Sequence, residues 1–381
     1  TPLYSSAASD VYKRQALQYA EEAKDNFSSI SFTSPRGGVL WTGAPHTEYY
    51  WELASWETDL KKRRDLLEKA IINEASIMEL AESTHYPEII AYAHHALSKA
   101  LGSLAQIETN PEEKRRLLTK ALKHRNESIR LGGELGRFRY WDHGVMWNYL
   151  AGLKAELSDF ENDLEKRQRM LEEAVSDKER CLQLCLKEMQ YFEKVGDLSY
   201  FAALGDYQHS YGELLNRLYR LTGNSEHQRR AIKAFEDVAE SFGKLNMSSR
   251  VAECHWKIAR GFEVLGEHLK AAESFDLAAN NYLRAAERIP QLKDFYQDHA
   301  LYMQAWSEIE RARYHDERQE YGSAEEHYEK AATLHKSLKQ WSYLAPNYSA
   351  WAQVEKAEDL SRNEKSEDAL LAFTEAAKLF I

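Results

Sequence analysis

The residues of this chain that could carry out chemistry include 14 histidines and three cysteines. The histidines include two acid-x-x-His pairs, Glu82/His85 and Asp206/His209. A di-iron site in a helix bundle needs two such pairs together with two further carboxylates. These two pairs lie far apart in the sequence and no supporting acids surround them. We therefore expect surface or hydrogen-bonded histidines and no metal site.

The cysteines, Cys181, Cys185 and Cys254, have the spacing of neither a disulfide framework nor a zinc site. Cys181 and Cys185 lie one helical turn apart and could touch one metal, but no second Cys or His pair matches them. We interpret all three as buried structural cysteines in a reducing compartment. The sequence contains no phosphate-binding loop, no G-x-S-x-G elbow and no H-E-x-x-H motif. These features predict a noncatalytic protein with no cofactor.

Short basic runs recur at the start of several predicted helices. Their arginines include Arg63, Arg64, Arg115, Arg116 and Arg167. If the helices stack in register, these side chains would align as a ridge able to hold phosphate groups or an acidic peptide. Alternatively, they form a solvated face paired with neighbouring acids. The net charge of −11 favours the second interpretation and makes nucleic acid an improbable partner.

Composition predicts helices throughout. The 381 residues include only 7 prolines and 17 glycines, and Ala, Glu, Lys, Leu and Arg are abundant. No alternating β-branched run is closed by Asn-Gly or Asp-Gly, and no apolar run reaches the length of a membrane span. We therefore expect an all-α, soluble, cytoplasmic protein.

A two-helix theme recurs from residue 49 to residue 381. The second helix of each copy carries a large apolar residue three positions before Ala or Val. These large residues are Leu67, Leu118, Leu171, Phe235, Phe275, Tyr328 and Phe373. The predicted partner helices are 86–108, 138–160, 197–222, 249–265, 293–321 and 340–362. Helices with one apolar stripe cannot bury that stripe alone, so the copies should stack on one another.

Residues 252–285 hold the clearest copy, with two amphipathic helices joined at Gly266-Glu267. The small and large residues of this copy are Ile258, Ala259, Phe262, Ala271, Phe275 and Ala278. Their spacing resembles a tetratricopeptide repeat, as does that of residues 350–381. The resemblance implies a right-handed α-solenoid of six or seven stacked antiparallel hairpins. Elsewhere the copies are longer than 34 residues, so the chain resembles this family with lengthened helices.

The resemblance also implies a binding surface, because the first helices of such repeats line a groove that holds a segment of a partner. Trp256, Lys257 and Arg260 are the positions that carry over from the matching repeat. Looser analogy adds His143, Trp147, Asn148, Tyr207 and Tyr211. We therefore expect a scaffold or sensor arm that binds a protein or peptide. The alternatives are the regulatory C-terminal part of a larger signalling ATPase or protease, and nucleic-acid binding through the basic runs.

The N-terminal stretch stands apart from this pattern. Residues 5–15 match, residue for residue, the translation of a common transposase sequencing adapter. Residues 16–48 are predicted to be the end of a helix followed by a Gly- and Pro-rich loop or linker. We therefore expect 1–15 to be an artefact of assembly from environmental reads, and the natural protein to extend further upstream.

Overall fold

A computed structural model describes residues 50–84, 87–135, 140–196 and 199–380. Within these ranges every regular element is a helix, and no strand is present. The predicted adapter-derived segment, remnant helix and loop of 1–48 lie outside the described residues. No helix in the described part of the chain is long and apolar enough to span a bilayer.

The helices alternate along the chain in the order that the repeated theme predicts. After a short helical segment at 50–56 come α1 (Leu60–Thr84), α2 (Pro87–Ile107), α3 (Pro111–Leu135), α4 (Tyr140–Leu157) and α5 (Leu164–Val195). Then follow α6 (Ser199–Thr222), α7 (Ser225–Lys244), α8 (Ser248–Val264), α9 (His268–Arg288), α10 (Lys293–Glu317), α11 (Tyr321–Ser337), α12 (Ala345–Arg362) and α13 (Ser366–Leu379). Single 3₁₀ turns lie at Ser158–Phe160, Pro290–Leu292 and Ser342–Leu344.

An Asp or Asn side chain fixes the start of each of the first four second helices. Asn110 Oδ1 accepts hydrogen bonds from the backbone N–H groups of Glu112 and Glu113 at 3.0 and 3.2 Å. Asp59, Asp163 and Asn224 cap α1, α5 and α7 in the same way. Each cap satisfies backbone donors that have no partner inside the helix. These helices therefore begin where the local sequence supplies an acceptor.

Left-handed turns end α7, α8, α10 and α12, and only one of them uses glycine. Gly266 has φ 71°, whereas Asn246, Gln319 and Glu364 have φ between 56° and 63°. In each turn the following N–H donates to the carbonyl five residues earlier, as Glu320 does to His315 at 2.9 Å. This turn ends α10 at Glu317, four residues before the end predicted for the partner helix 293–321.

The chain forms two compact units that divide at Glu188. In the first, the large residues Leu67, Leu118 and Leu171 of α1, α3 and α5 are at most 2% exposed. In the second, α6 to α13 pack successively as hairpins, and Phe235 and Phe275 are equally buried. Each unit is a stack of antiparallel helix hairpins, which is α-solenoid architecture, so the predicted all-α fold is confirmed.

Glycines set the distance between α6 and α7. A Cβ atom at Gly212 would lie 2.8 Å from the Phe235 ring, and one at Gly205 would lie 2.9 Å from the Phe242 ring. Both separations are far below van der Waals contact. The two rings of α7 therefore lie directly on the α6 backbone, which brings the first helix of this hairpin close to the second.

Candidate functional site

A cavity of about 290 Å³ opens between α6 and α8, the first helices of consecutive hairpins in the second unit. Its walls include Asn216 and Arg220 of α6 and Trp256, Lys257 and Arg260 of α8. The structure therefore brings together the three residues that carry over from the matching repeat. Trp256 is 38% exposed, which is a large solvent-accessible fraction for an indole.

Gly261 lets α8 approach α7 at the floor of this cavity. A Cβ atom at this position would lie 2.6 Å from Ile232 Cγ1 and 2.9 Å from Gln228 Nε2. A larger residue would require Ile232 or Gln228 to move. Gly261 therefore permits close packing of α8 on α7, whose Gln228 also lines the cavity.

Two of the cavity's three cations have carboxylate partners. The Lys257 Nζ atom lies 2.5 Å from Glu213 Oε1, which connects α8 to α6. Arg260 lies 2.5 Å from the Glu263 carboxylate, and its guanidinium carbon is 5.2 Å from the centroid of Trp306 on α10. Arg220 is exposed and has no ion pair with any described residue. Its guanidinium remains able to bind a carboxylate of a ligand.

Asn216 lines the same cavity and was not predicted from the sequence. Its Oδ1 atom is buried and receives no hydrogen bond from the described residues. Glu213, Asn216 and Arg220 follow at three- and four-residue steps, which places them on one face of α6. That spacing was the signal in the sequence from which Asn216 could have been predicted. The repeat theme marks the buried stripe of each helix and does not identify the face opposite it.

A second cavity, of about 280 Å³, lies on the other side of Trp256 and Lys257, which line both cavities. Its further walls include Glu253 of α8, Tyr282 of α9, and Phe295 and Tyr296 of α10. The two cavities therefore adjoin along α8. Together they form a surface that runs across α6, α8 and α10, which we call the first-helix surface.

The contribution predicted for Tyr207 and Tyr211 of α6 to partner binding stays a prediction. Tyr211 Oη accepts a hydrogen bond of 2.8 Å from Arg230 Nη2 of α7, so the phenol is engaged inside its own hairpin. Tyr207 is half-buried, and neither tyrosine is among the residues that line the two cavities. Asn216 and Arg220 lie there instead, because they occupy a different face of α6.

The partner-binding residues that looser analogy suggested on α4 lie in the first unit. His143, Trp147 and Asn148 are all half-buried. Asn148 Oδ1 accepts a hydrogen bond from Lys178 Nζ of α5, so its amide bridges the two helices of one hairpin. The structure thus assigns Asn148 a contact within the hairpin, and its predicted role in partner binding stays a prediction, as do those of His143 and Trp147.

Carboxylates pair with most of the arginines in the basic runs. Arg64 lies 2.8 Å from Glu108, Arg116 lies 2.5 Å from Glu113, and Arg167 lies 3.2 Å from Asp159. The Asn110 backbone N–H and the Arg64 guanidinium together hold the pKa of Glu108 below its usual value. These pairs match the solvated-face interpretation. Arg63 and Arg115 have no ion pair with a described residue. The predicted ridge of Arg63, Arg64, Arg115, Arg116 and Arg167 stays a prediction.

The cysteines and histidines are the residue types for which the sequence raised the question of a metal site. All three cysteines are buried free thiols, as the sequence interpretation expected. No group of three His, Cys, Asp or Glu side chains among the described residues is placed to hold a metal ion. Of the two acid-x-x-His pairs, His85 lies outside the described residues, and Asp206 is engaged with Arg250 at 2.7 Å.

No family model and no curated protein matches the chain. Among solved structures it is similar to a circular tandem repeat protein with a novel repeat topology, at 15% identity over 96% of this chain and 90% of that chain, with a TM-score of 0.32. It is also similar to a Signal Transduction ATPase with Numerous Domains protein with a tetratricopeptide repeat sensor from Pyrococcus horikoshii. That match has 18% identity over 92% of this chain and 50% of that chain, with a TM-score of 0.38. The apo form of RapI matches at 14% identity over 87% and 97%, with a TM-score of 0.32. These likenesses extend no further than the helical-repeat fold.

Proposed function

We propose that this protein is a noncatalytic scaffold that binds an extended segment of a partner protein along the first-helix surface. The observation that supports this most is the pair of adjoining cavities on α6, α8 and α10, which share Trp256 and Lys257. Two cavities in a row suit a ligand that places successive side chains in successive pockets. A small metabolite would instead need one enclosed pocket.

The first cavity has the groups that a peptide segment requires. Trp256 supplies a large rigid contact area at low cost in conformational entropy, as aromatic anchors do at protein interfaces. The Oδ1 atom of Asn216 can accept a peptide N–H after a rotation of its amide. Arg220 and Arg260 can both contact a carboxylate of the ligand. Tryptophan, amide and arginine in one cavity therefore favour a polypeptide with an acidic group.

Selection of peptides from a random phage-displayed library against the full chain tests the proposal. Selected peptides would be labelled, and their dissociation constants measured by fluorescence polarisation for the wild type and for Trp256→Ala. We expect Trp256→Ala to weaken binding by about tenfold to thirtyfold, as loss of an interface anchor does. Arg260→Glu should weaken binding of peptides with an acidic residue by a similar factor. The Arg220→Ala variant should show a smaller loss.

Trp351→Ala is the matched control. Trp351 is 41% exposed on α12, close to the exposure of Trp256, and it lines neither cavity. Its replacement should leave peptide affinity unchanged, and all variants should keep the wild-type helical circular dichroism. Equal losses for Trp256→Ala and Trp351→Ala would contradict the proposal, as would failure to select any peptide.

A further inference from the structure

The second cavity differs in chemistry from the first, because aromatic rings and one carboxylate form most of its walls. Tyr282 and Tyr296 are stacked with ring centroids 6.2 Å apart and an interplanar angle of 23°. Phe295 meets Tyr296 edge to face at 5.3 Å, and it is 52% exposed. Trp256 closes the side towards the first cavity. Aromatic walls of this kind attract cations through the negative potential of their ring faces.

Glu253 adds a formal negative charge to these walls. Its side chain is about half exposed, and its nearest cation is Arg250, whose Nη1 atom is 3.9 Å away. The same Arg250 binds Asp206 at 2.7 Å, so the Glu253 carboxylate is only weakly neutralised. Burial raises the pKa of Tyr282, and the nearby charge of Glu253 raises it further. Glu253 therefore acts electrostatically on the aromatic wall of this cavity.

The other polar groups of the cavity do not oppose a cationic ligand. Lys257 lines the cavity, but its ammonium group is paired with Glu213 at 2.5 Å. His299 Nδ1 donates a hydrogen bond of 2.8 Å to the Phe295 carbonyl. In the neutral ring the Nε2 atom is then an acceptor. The cavity thus combines aromatic rings with a carboxylate that has one weak cationic partner.

We propose that the second cavity takes the cationic side chain of a lysine or arginine in the bound peptide. This inference rests on the proposed function, because the adjoining first cavity would hold the rest of the peptide. The net charge of −11 also favours a basic partner segment over an acidic one. The bound segment would then carry an acidic group at Arg220 and Arg260 and a basic residue next to it, at the rings.

Neutral isosteres of the basic residue give the direct test. In each selected peptide, lysine would be replaced by norleucine or arginine by citrulline, and affinity measured for the wild type and Glu253→Gln. We expect the neutral peptides to bind the wild type about threefold to thirtyfold more weakly, the range of cation–π contacts. Glu253→Gln should weaken binding of the charged peptide and leave the neutral peptide unchanged.

Glu273→Gln is the matched control, since Glu273 is an exposed carboxylate of α9 that lines neither cavity. It should not discriminate between charged and neutral peptides. Phe295→Leu keeps an apolar side chain but removes the ring, so it should lose the preference for the charged peptide. If peptides bind, but Glu253→Gln and Phe295→Leu affect charged and neutral peptides equally, the inference is overturned and the proposed function stands. If no peptide binds, the proposed function itself has failed.

Discussion

In the second helix of each hairpin, we compare the position seven residues after the large buried residue. This position holds charged residues in the first unit and aromatic rings in the second unit. Its occupants are Glu74, Arg125 and Lys178 in the first unit, and Phe242, Tyr282 and His335 in the second. All six side chains are at most 4% exposed. Equal burial of such different groups shows that the backbone register fixes depth and leaves the chemistry open.

For Arg125 and Lys178 of the first unit, the facing first helix supplies a polar partner. Arg125 donates to the Nδ1 atom and to the backbone oxygen of His95, which lies thirty residues earlier on α2. Lys178 donates to Asn148, also thirty residues earlier, on α4. Burial lowers the pKa of Arg125 to about 10 and that of Lys178 to about 8. Both charges are thus buried at a cost that hydrogen bonds partly offset.

In the second unit the facing groups are a glycine or another ring. Phe242 lies against Gly205, Tyr282 stacks on Tyr296, and His335 stacks on Tyr348 with centroids 5.2 Å apart. Tyr282 reaches from this buried position to the wall of the second cavity. The same helix position that holds a buried charge in the first unit therefore holds, in the second unit, an aromatic residue that lines the candidate site.

The largest expected effect is a difference between two substitutions, one in each unit, in how they change the free energy of unfolding. Phe242→Ala removes a buried ring and should lower the free energy of unfolding by about 3–5 kcal/mol. Arg125→Met replaces a buried charge by an apolar side chain of similar length, and should leave stability unchanged or raise it by up to about 4 kcal/mol. Urea denaturation followed by circular dichroism measures both.

Equal destabilisation by these two variants would contradict the comparison. It would mean that the contacts of Arg125 with His95 and Tyr149 stabilise the first unit as much as a buried ring stabilises the second. A His95→Ala variant separates the possibilities, because it removes the imidazole acceptor and leaves the arginine buried. We expect His95→Ala to be more destabilising than Arg125→Met.

An intermediate effect is expected at the lysine of α5. Asn148→Ala removes the hydrogen-bond acceptor of the buried Lys178 ammonium group and should cost about 1–3 kcal/mol. In a Lys178→Met background the same Asn148→Ala change should cost clearly less, because no charge then needs the amide. A double-mutant cycle from urea midpoints gives the difference. Additive effects would show that Asn148 acts through packing alone.

The buried stripe of the helices was predictable because apolar spacing directly records it. Six of the seven large residues are at most 6% exposed, from Leu67 to Tyr328. Phe373 of α13 is the exception, at 37% exposure, although Ala376 three residues later is buried. The local pattern of α13 is therefore the same, but no described element covers its phenylalanine.

The turns and the candidate site were less predictable, for two physical reasons. Asn246, Gln319 and Glu364 adopt left-handed φ values without the glycine that usually signals such a turn. Asn216 and Arg220 lie on a solvent-facing side of α6, where no periodic burial constrains residue type. Their position becomes clear only when α8 packs beside α6, and neither helix alone defines the cavity.

The last expected difference between the two units is in their response to alkaline pH. Burial lowers the pKa of Lys178 to about 8, whereas the unfolded chain keeps the ordinary value of 10.5. Between these values the unfolded state binds more protons, so the contribution of Lys178 to stability rises with pH. In the second unit burial raises the pKa of Tyr282 above its ordinary value of 10.0. There the unfolded state releases its proton first, and stability falls above that pH.

Comparison of the wild type with a variant that lacks the titrating group isolates the contribution of that group. The free energy of unfolding would be measured from about pH 7 to about pH 11 for the wild type, Lys178→Met and Tyr282→Phe. We expect the wild type to gain stability relative to Lys178→Met between about pH 8 and about pH 10, and to lose it relative to Tyr282→Phe above about pH 10. The hydrogen bond with Cys181, together with burial, raises the pKa of the Cys185 thiol, which therefore acts against Lys178, but this thiol is present in both proteins of the first comparison. If the difference in the free energy of unfolding between the wild type and Lys178→Met did not change with pH, this lysine would titrate alike in the folded and unfolded states. Its low exposure would then not exclude water from the ammonium group.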